Sequence, residues 1–310
     1  MKLTETPASI VAGKPTVTDA DDLELLPFTA HKLDLGGGVF TLEHGEDPFT
    51  TVATRVLSQA LGHDFTRRRI LDLGCLEGGF AIAFATLGAR EVIGIEARPT
   101  NLKRADMARE RLGVRNVSFI QGDVNKLDVA ALGSFDVVFA SGILYHLDDP
   151  FSFVERVFEL TSDVALFDTH VALPDVHNHG LSASLLTRSH NGHDYVGRVY
   201  FEYPPEASQD EVEYLLWNSY SNSNSFWLRE HDLVRLLYET GFQRVYKAPQ
   251  PPGYKCSEGC PGECRVILVA KRHGAVDCGD VFVEIPRPAG PATSTRPRPR
   301  RWLRRTFRRS

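Results

Sequence analysis

Residues 69–80 read RILDLGCLEGGF, and this stretch decides the fold. The apolar run RILDL predicts a buried strand, and the glycines at Gly74, Gly78 and Gly79 predict a tight turn that leads directly into a helix. Glycine in such a turn lets the backbone approach a ligand closely. A tight connection without any ligand explains the turn equally well, so its meaning depends on the segments that follow.

Further apolar runs follow and alternate with helical patterns. The runs are EVIGIEA, VSFIQGD, FDVVFAS and DVALFDTHV, with patterns such as NLKRADMARERLG and DPFSFVERVFELT between them. Strands that alternate with helices predict a parallel sheet, and near-continuous apolar strands predict that both of its faces are covered. Right-handed crossovers then favour a doubly wound, mostly parallel α/β sheet that binds its ligand at the carboxyl ends of its strands.

Polar residues stand where the second and third of these strands end. Glu96 follows the first glycine of the turn by about twenty residues, where a carboxylate can accept hydrogen bonds from both hydroxyls of a ribose. Asp123 and Val124 follow the third strand, where a carboxylate and a backbone amide can bind adenine. A dinucleotide site would share the turn and the ribose acid.

The detail of the turn separates the two ligands. The GxGxxG register that places a pyrophosphate on a helix N-terminus is absent. An acid, Glu77, lies inside the loop, where it would repel a pyrophosphate but can face a sulfonium or an ammonium group. The sequence therefore favours a cationic ligand.

Together, DLGCLEGGF, VIGIEAR, QGDV and FDVVFASGILYHLDDP resemble the ordered motifs of the class I S-adenosylmethionine-dependent methyltransferases, from about Arg69 to Val171. This resemblance implies a seven-stranded, Rossmann-like sheet and S-adenosylmethionine as cofactor. The phrase GILYHLDDP is most similar to a subgroup that includes tRNA wobble-uridine carboxymethylating enzymes and many small-molecule methyltransferases. The residues implied are Asp72, Gly74, Cys75, Glu77, Gly78 and Gly79 for the methionine part, Glu96 and Ala97 for the ribose, Asp123 and Val124 for the adenine, and Ser141 and Gly142 for the sulfonium side.

The rest of the chain divides by composition. A long segment rich in His, Asn, Ser, Tyr and Trp interrupts the alternation, which predicts an insertion on the substrate side. We expect a flexible N-terminus (1–22), an extension with a helix over the active site (23–66), a methyltransferase domain (67–272) with the insertion (172–226), a C-terminal extension (273–290) and a basic disordered tail (291–310).

Catalytic candidates lie just past the fourth and fifth strands. A positioned histidine can take the proton of an acceptor hydroxyl, so His146 is the predicted base, with Tyr145 beside it and Asp168 as a group that orients the base or the acceptor. The alternative is that His146 caps the loop before the next helix.

A divalent ion such as Mg²⁺ is a second possibility at this edge. Asp168 and His170, followed by Asp175, His177 and His179, offer oxygen and imidazole ligands that could orient a substrate diol. The alternative is a solvated loop whose histidines bond to the backbone.

Aromatic and small polar residues mix within the insertion. Tyr203, Trp217, Tyr220 and Trp227 lie among asparagines and serines, a combination that suits a sugar or glycan acceptor. Core packing of the aromatic residues explains the same pattern.

Two further features remain open. Cys256, Cys260 and Cys264, with Cys278, either bind a metal or are reduced thiols, and their spacing is not that of common zinc sites. The arginine-rich tail after Pro291 is either a flexible segment or a contact for RNA or an anionic membrane.

Net charge and composition reduce the number of function classes that the sequence allows. The formal net charge is −5 although the tail is basic, so the body is acidic and no DNA partner is expected. We expect a cytoplasmic protein, because the start has no signal-peptide pattern. The predicted function is O-methylation of a sugar or another polyhydroxylated small molecule. The alternatives are an RNA-modifying methyltransferase and a cofactor-binding protein without catalysis.

Overall fold

The computed structural model describes residues 27–174, 181–249, 264–276 and 282–288, so the predicted N-terminus (1–22) and basic tail (291–310) lie outside it. The described strands are β1 (Arg69–Leu73), β2 (Glu91–Glu96), β3 (Val117–Gln121), β4 (Phe135–Ser141), β5 (Thr161–His170), β6 (Leu186–His190), β7 (His193–Phe201), β8 (Asn224–Leu228), β9 (Arg244–Lys247), β10 (Arg265–Lys271) and β11 (Val283–Ile285).

The helices of the same ranges are α1 (Val52–Ala60), α2 (Gly79–Thr86), α3 (Pro99–Leu112), α4 (Val129–Leu132), α5 (Pro150–Leu160), α6 (Gln209–Tyr214) and α7 (Glu230–Thr240). Short 3₁₀ turns occupy Val124–Lys126 and Leu144–His146. Among these helices, none has both the length and the apolar character that crossing a bilayer requires.

One large sheet contains eight of the described strands, in the order β11-β9-β10-β5-β4-β1-β2-β3. β1 pairs in parallel with β2 and β4, and β4 pairs in parallel with β5. β10 runs antiparallel to β5. The predicted doubly wound, mostly parallel sheet is confirmed. It has eight strands in place of the predicted seven because Val283–Ile285 adds an edge strand against β9.

Both faces of this sheet are covered, as the apolar strands predict. In β1, Ile70 packs into one core, whereas Leu71 and Leu73 pack into the other. Side chains of α5 and α7 cover the Leu71 face, and side chains of α1, α2 and α3 cover the Ile70 face. Burial of one leucine or isoleucine side chain stabilises the folded state by about 1.5–3 kcal/mol relative to leaving it exposed. The many buried side chains on both faces therefore hold the sheet firmly as a base for the loops at its edge.

Local sequence determines where the helices beside the carboxyl edge begin. α3 has Pro99 in its first turn and ends at Gly113, whose φ is 65°. α5 follows Asp149, which accepts a hydrogen bond from the amide of Ser152 (3.1 Å), and has Pro150 at its start. The polar residues before these helices are thereby held at the ends of β2 and β4.

The predicted insertion contains a second, antiparallel sheet in the order β6-β7-β8. It is joined to the carboxyl edge of the large sheet through backbone hydrogen bonds. The amide of Phe226 donates to the carbonyl of Leu147 (2.8 Å), and the amide of Ala172 donates to the carbonyl of Leu228 (2.9 Å). The insertion is therefore an ordered part of the wall above the strand ends.

Helix α1 forms where the spacing predicts it, but it does not lie over the active site. Thr51 caps its start by accepting from the amide of Thr54 (3.1 Å). Val56 and Leu57 pack into the core on the Ile70 face of the sheet. The apolar stripe of the helix is buried against the sheet, and none of its residues lines the cleft described below, whereas residues 29–31 and Glu46 of the same predicted extension do.

Candidate active site and cofactor cleft

The carboxyl ends of β1, β2, β3 and β4 open into a cleft of about 350 Å³. Strand-end residues line one side of it. The insertion, the segment before α1 and the start of β10 provide the rest. Of the residues assigned from the sequence, those that line the cleft are Gly74, Cys75, Glu96, Ala97, Asp123, Val124, Ser141, Gly142, Tyr145 and His146.

Only the first half of the glycine-rich turn borders this cleft. Gly74 has φ 72°, and a Cβ there would lie 3.0 Å from Ile143. A Cβ on Gly78 would lie 2.6 Å from the ring of Phe119, and one on Gly79 would lie 2.5 Å from the ring of His31. Gly78 and Gly79 thus allow close packing of the chain, and their assignment to the cofactor is not supported.

Glu77 does not face the cleft, contrary to the prediction from its position in the loop. Its side chain is fully buried. Oε1 accepts a hydrogen bond from Thr29 Oγ1 (2.7 Å), and Oε2 accepts one from the amide of Ala30 (3.1 Å). Arg104 Nη1 lies 3.8 Å from Oε1. The carboxylate therefore anchors residues 29–31 at the rim, and its lone pairs are used inside the protein rather than for a cationic ligand.

Asp72 and Cys75 support the turn. Asp72 is 2% exposed and is not among the residues that line the cleft, so a direct contact with the methionine part is not supported. Burial raises the pKa of Asp72 to about 8, and the nearby Glu96 carboxylate acts in the same direction. Burial also raises the pKa of the Cys75 thiol. Cys75 borders the cleft as a protonated, apolar group.

Two carboxylates lie side by side at the ends of β2 and β3. Glu96 is 6% exposed and accepts from the amides of Arg98 (2.8 Å) and Leu76 (3.1 Å), and burial raises its pKa. Asp123 Oδ1 accepts from the amide of Asn125 (2.9 Å). Asp123 Oδ2 has no hydrogen-bond partner among the described residues and lies 3.5 Å from the Lys126 ammonium. Both carboxylates retain acceptor capacity toward hydroxyl and amino groups.

His146 forms a pair with Glu202, an acid of the insertion. His146 Nδ1 lies 3.1 Å from both carboxylate oxygens of Glu202, whose side chain is fully buried. A carboxylate only accepts, so Nδ1 carries the proton and Nε2 is the nitrogen that can take one up. Asn222 Nδ2 donates to the carbonyl of His146 (2.9 Å) and fixes its backbone. The arrangement is that of an oriented general base.

Tyr145 lies in a cluster of aromatic rings next to this pair. Its ring centroid is 4.2 Å from that of His146 and 4.5 Å from that of His170. Trp227 Nε1 donates to the carbonyl of Tyr145 (2.7 Å). Burial raises the pKa of Tyr145 to about 12. Tyr145 therefore faces the cleft as a neutral phenol, which can donate a hydrogen bond but is a poor base at neutral pH.

The carboxylate of Asp168 is paired with an arginine at the start of β10. Arg265 Nε lies 2.7 Å from Oδ1, and Arg265 Nη2 lies 2.8 Å from Oδ2. Ser141 Oγ also donates to Oδ2 (3.0 Å). The predicted role of Asp168 in orienting His146 is not supported, because Glu202 makes that contact. Asp168 instead positions Arg265, which lines the cleft.

The predicted metal pair of Asp168 and His170 does not form. A cation at Asp168 would meet the Arg265 guanidinium, which holds both carboxylate oxygens. His170 Nδ1 lies 3.4 Å from Cys264 Sγ, and burial lowers the pKa of His170 to about 4. Within the described ranges, no three His, Cys, Asp or Glu side chains are grouped as metal ligands. The remaining candidates lie outside those ranges, namely Asp175, His177, His179, Cys256, Cys260 and Cys278.

The four aromatic residues singled out from the sequence, Tyr203, Trp217, Tyr220 and Trp227, have different surroundings. Trp227 is 4% exposed and stacks between the rings of His170 (5.0 Å) and Tyr200 (4.9 Å), which is core packing. Trp217 and Tyr220 line the cleft, whereas Tyr203 does not. Of the two that line the cleft, Tyr220 lies beside Arg98, whose guanidinium is 5.3 Å from its ring centroid.

Several cleft residues are not singled out by any sequence motif. These are His31, Arg98 and Arg265, which line the cleft, together with Glu202, which is buried behind His146. Glu202 stands in the quoted phrase YFEYPPE, but nothing local links it to a histidine 56 positions earlier. Arg98 belongs to the quoted phrase VIGIEAR, and its position after the ribose acid is the one local signal among the four.

The fold and the cleft define the class: the chain carries a class I S-adenosylmethionine-dependent methyltransferase domain. A protein family described as a methyltransferase domain matches residues 65–187. A solved structure described as the N-terminal domain of EvdMO1 in the presence of SAH and D-fucose is 25% identical, with a TM-score of 0.61 over 81% of this chain and 94% of that one.

Curated relatives match the same region. The ubiquinone biosynthesis O-methyltransferase of Psychrobacter arcticus is 34% identical over 94 residues, which cover 30% of this chain and 36% of the relative. The tRNA U34 carboxymethyltransferase of Alteromonas mediterranea is 32% identical over 95 residues, which cover 29% of this chain and 28% of the relative. The chain thus spans about a third of the length of these relatives.

Proposed function

We propose that this protein is an S-adenosylmethionine-dependent O-methyltransferase that acts on a hydroxyl of a sugar or another polyhydroxylated small molecule. The observation that carries the proposal is the His146–Glu202 pair, in which His146 borders the cleft and Glu202 is fully buried behind it. A hydroxyl is a weak nucleophile, and a base that removes its proton during attack accelerates the transfer.

The cleft fits the cofactor. Glu96 would accept from the ribose hydroxyls, and Asp123 Oδ2, a buried acceptor without a hydrogen-bond partner among the described residues, would accept from the adenine amino group. His31 Nδ1 is buried in the cleft wall near Gly79 and likewise lacks a hydrogen-bond partner there, so it would meet the methionine part beside the Gly74–Leu76 turn. When bound, the cofactor supplies an electrophilic methyl group on a positively charged sulfur.

The residues of the chain then align the acceptor and move one proton. With the cofactor bound, the acceptor oxygen would bond to the methyl carbon as the carbon–sulfur bond breaks, which would leave a neutral thioether to depart. The acceptor proton passes to Nε2 of His146, and Glu202 stabilises the resulting imidazolium through Nδ1. Alignment by the cleft contributes up to about 7–11 kcal/mol to such reactions.

A polyhydroxylated acceptor fits the polar groups around His146. Glu46, Tyr145 and Arg265 line the cleft and offer both donors and acceptors. A pocket that binds hydroxyl groups with paired donors and acceptors discriminates strongly against analogues that lack them. The structural neighbour described with SAH and D-fucose supports a sugar as the acceptor class.

An RNA acceptor is the second candidate, because one group of relatives consists of tRNA U34 carboxymethyltransferases. The formal net charge of −5 disfavours it, since RNA binding needs a basic surface. The arginine-rich tail would have to supply that surface.

A transfer assay distinguishes these acceptors. The protein is incubated with methyl-labelled S-adenosylmethionine and, separately, with deoxy and hydroxylated monosaccharides, glycans, or total tRNA, each with and without a chelator. We expect label in the sugar fractions and no change with chelator. Label in tRNA alone would refute the sugar proposal, and label in no fraction despite tight SAH binding would favour a non-catalytic cofactor-binding protein.

A further inference from the structure

We infer that residues 215–221 of the insertion form a cover over the nucleoside of the cofactor, and that Arg98 is the positioning residue that holds this cover closed. The inference rests on the proposed binding of the cofactor in this cleft, and it adds a function for the insertion. The insertion was expected to serve the acceptor, whereas its cleft-lining loop also contacts residues that follow β2 and β3.

Arg98 connects the cover to the sheet. It follows Glu96 by two residues and is 5% exposed. Its Nη2 lies 2.9 Å from the carbonyl oxygens of both Leu215 and Asn218. A guanidinium bonded to several carbonyls holds a loop that has no regular backbone pairing of its own.

A second contact fixes the far end of the cover. Asn125, which follows the adenine-side Asp123, donates through Nδ2 to Ser221 Oγ (3.1 Å). The cover therefore spans from the end of β2 to the end of β3, over the two carboxylates assigned to ribose and adenine. Residues 216–221 all line the cleft, so this span is its wall on that side.

The aromatic residues of the cover are suited to a planar base. Trp217 lines the cleft but is 59% exposed, which is unusual for a large apolar side chain in an ordered wall. Tyr220 also lines the cleft, and the Arg98 guanidinium lies 5.3 Å from its ring centroid. A nucleoside beneath the cover would bury part of the exposed Trp217 ring.

The cover is also connected to the catalytic pair. The amide of Ser219 donates to Glu202 Oε2 (3.0 Å), and Glu202 holds His146. One short loop thus contacts both the residue that closes the nucleoside end and the acid that orients the base. The contact between His146 Nδ1 and Glu202 does not involve Arg98, so we expect the main effect of an Arg98 variant on cofactor binding.

The test measures SAH binding by calorimetry and by tryptophan fluorescence, without any acceptor. Arg98→Lys keeps the positive charge near Glu96, but lysine Nζ ends about one bond short of the Nη2 position that contacts both carbonyls. We expect SAH affinity to fall about tenfold, the KM for S-adenosylmethionine to rise similarly and kcat at saturating cofactor to change less than threefold. Asn125→Ala, which removes the single contact at the far end, should cost about two- to threefold in affinity.

Two further measurements make the outcome decisive. SAH should change the fluorescence of the wild type, and Trp217→Phe should remove most of that change, because Trp217 lines the cleft. SAH should protect the amides of residues 215–221 from hydrogen exchange in the wild type and less in Arg98→Lys. Unchanged affinity and equal protection in a normally folded Arg98→Lys protein would refute the cover. Tight SAH binding without sugar methylation would instead refute only the proposed acceptor.

Discussion

The two ends of the cleft are built in different ways. At the nucleoside end, Glu96, Arg98 and Asp123 each follow directly from a strand of the parallel sheet. At the acceptor end, His146 and Arg265 are held by Glu202 and Asp168, which are 56 and 97 positions distant in the chain. Strand geometry places the carboxylates of the first end, and only the cover over them depends on contacts between distant segments, whereas the second end depends on such packing throughout. Variants at the two ends should therefore have separable effects.

The largest effect is expected at the acceptor end. His146→Ala removes the proposed base and should lower kcat about 10²–10⁴-fold while SAH affinity stays within about twofold. Glu202→Gln keeps the shape of the pair but weakens its hold on the imidazolium, so we expect an intermediate loss. Steady-state kinetics and SAH calorimetry measure the two quantities.

A second histidine–glutamate pair is the control for this variant. His190 Nε2 lies 2.8 Å from Glu155, away from the cleft. His190→Ala should leave kcat unchanged. An equal loss of kcat in the two alanine variants, or an unimpaired His146→Ala protein, would contradict the base assignment.

Glu77 should stabilise the fold and should not bind a cationic ligand. Glu77→Ala removes a buried acceptor of hydrogen bonds from residues 29–31 and leaves Arg104 without its counter-charge. We expect the free energy of unfolding to fall by about 3 kcal/mol in urea titrations. Glu43→Gln, at a fully solvated side chain, should change it by less than about 0.5 kcal/mol. A stable Glu77→Ala protein that has lost only SAH affinity would restore the role predicted from the sequence.

At the nucleoside end, Glu96→Gln should weaken SAH binding about 10- to 100-fold and leave kcat at saturating cofactor nearly unchanged. The reason is that hydrogen bonds to a charged acceptor contribute about 1.5–3 kcal/mol. The matched control is Glu91→Gln at the other end of β2, where Glu91 pairs with Arg69 (2.6 Å). Equal SAH affinity in both variants would show that Glu96 does not bind the ribose.

The smallest effect concerns pH. Burial lowers the pKa of His31 to about 4, although the nearby Glu77 carboxylate acts in the opposite direction. The imidazole of His31 therefore binds a proton less well in the folded protein than in the unfolded chain. The stabilising contribution of neutral His31 is present above pH 6.5 and is lost as the pH falls toward 4. Between pH 7 and pH 5 the free energy of unfolding should fall by about 2 kcal/mol from this group.

His31→Phe keeps an aromatic ring against Phe80 and should flatten this part of the stability profile. His44→Gln, at a fully exposed histidine, should leave the profile as it is in the wild type. An unaltered slope in His31→Phe would mean that His31 is not held neutral.

The sequence by itself determined the sheet and the presence of two carboxylates and a histidine at its carboxyl edge. Strand periodicity and the glycine turn specify which residues leave the sheet at its carboxyl edge, and Glu96, Asp123 and His146 are such residues. Local motifs suffice there because backbone geometry sets their positions.

Only the tertiary structure decided which charged groups are available to a ligand. Glu77 and Asp168 lie at the right places in the sequence, but residues 29–31 and Arg265 occupy their oxygens. Glu202 carries no local signal and becomes the partner of His146 because the second sheet brings it there. A carboxylate's neighbours are set by packing between distant segments, and no local pattern of residues records which segments will meet.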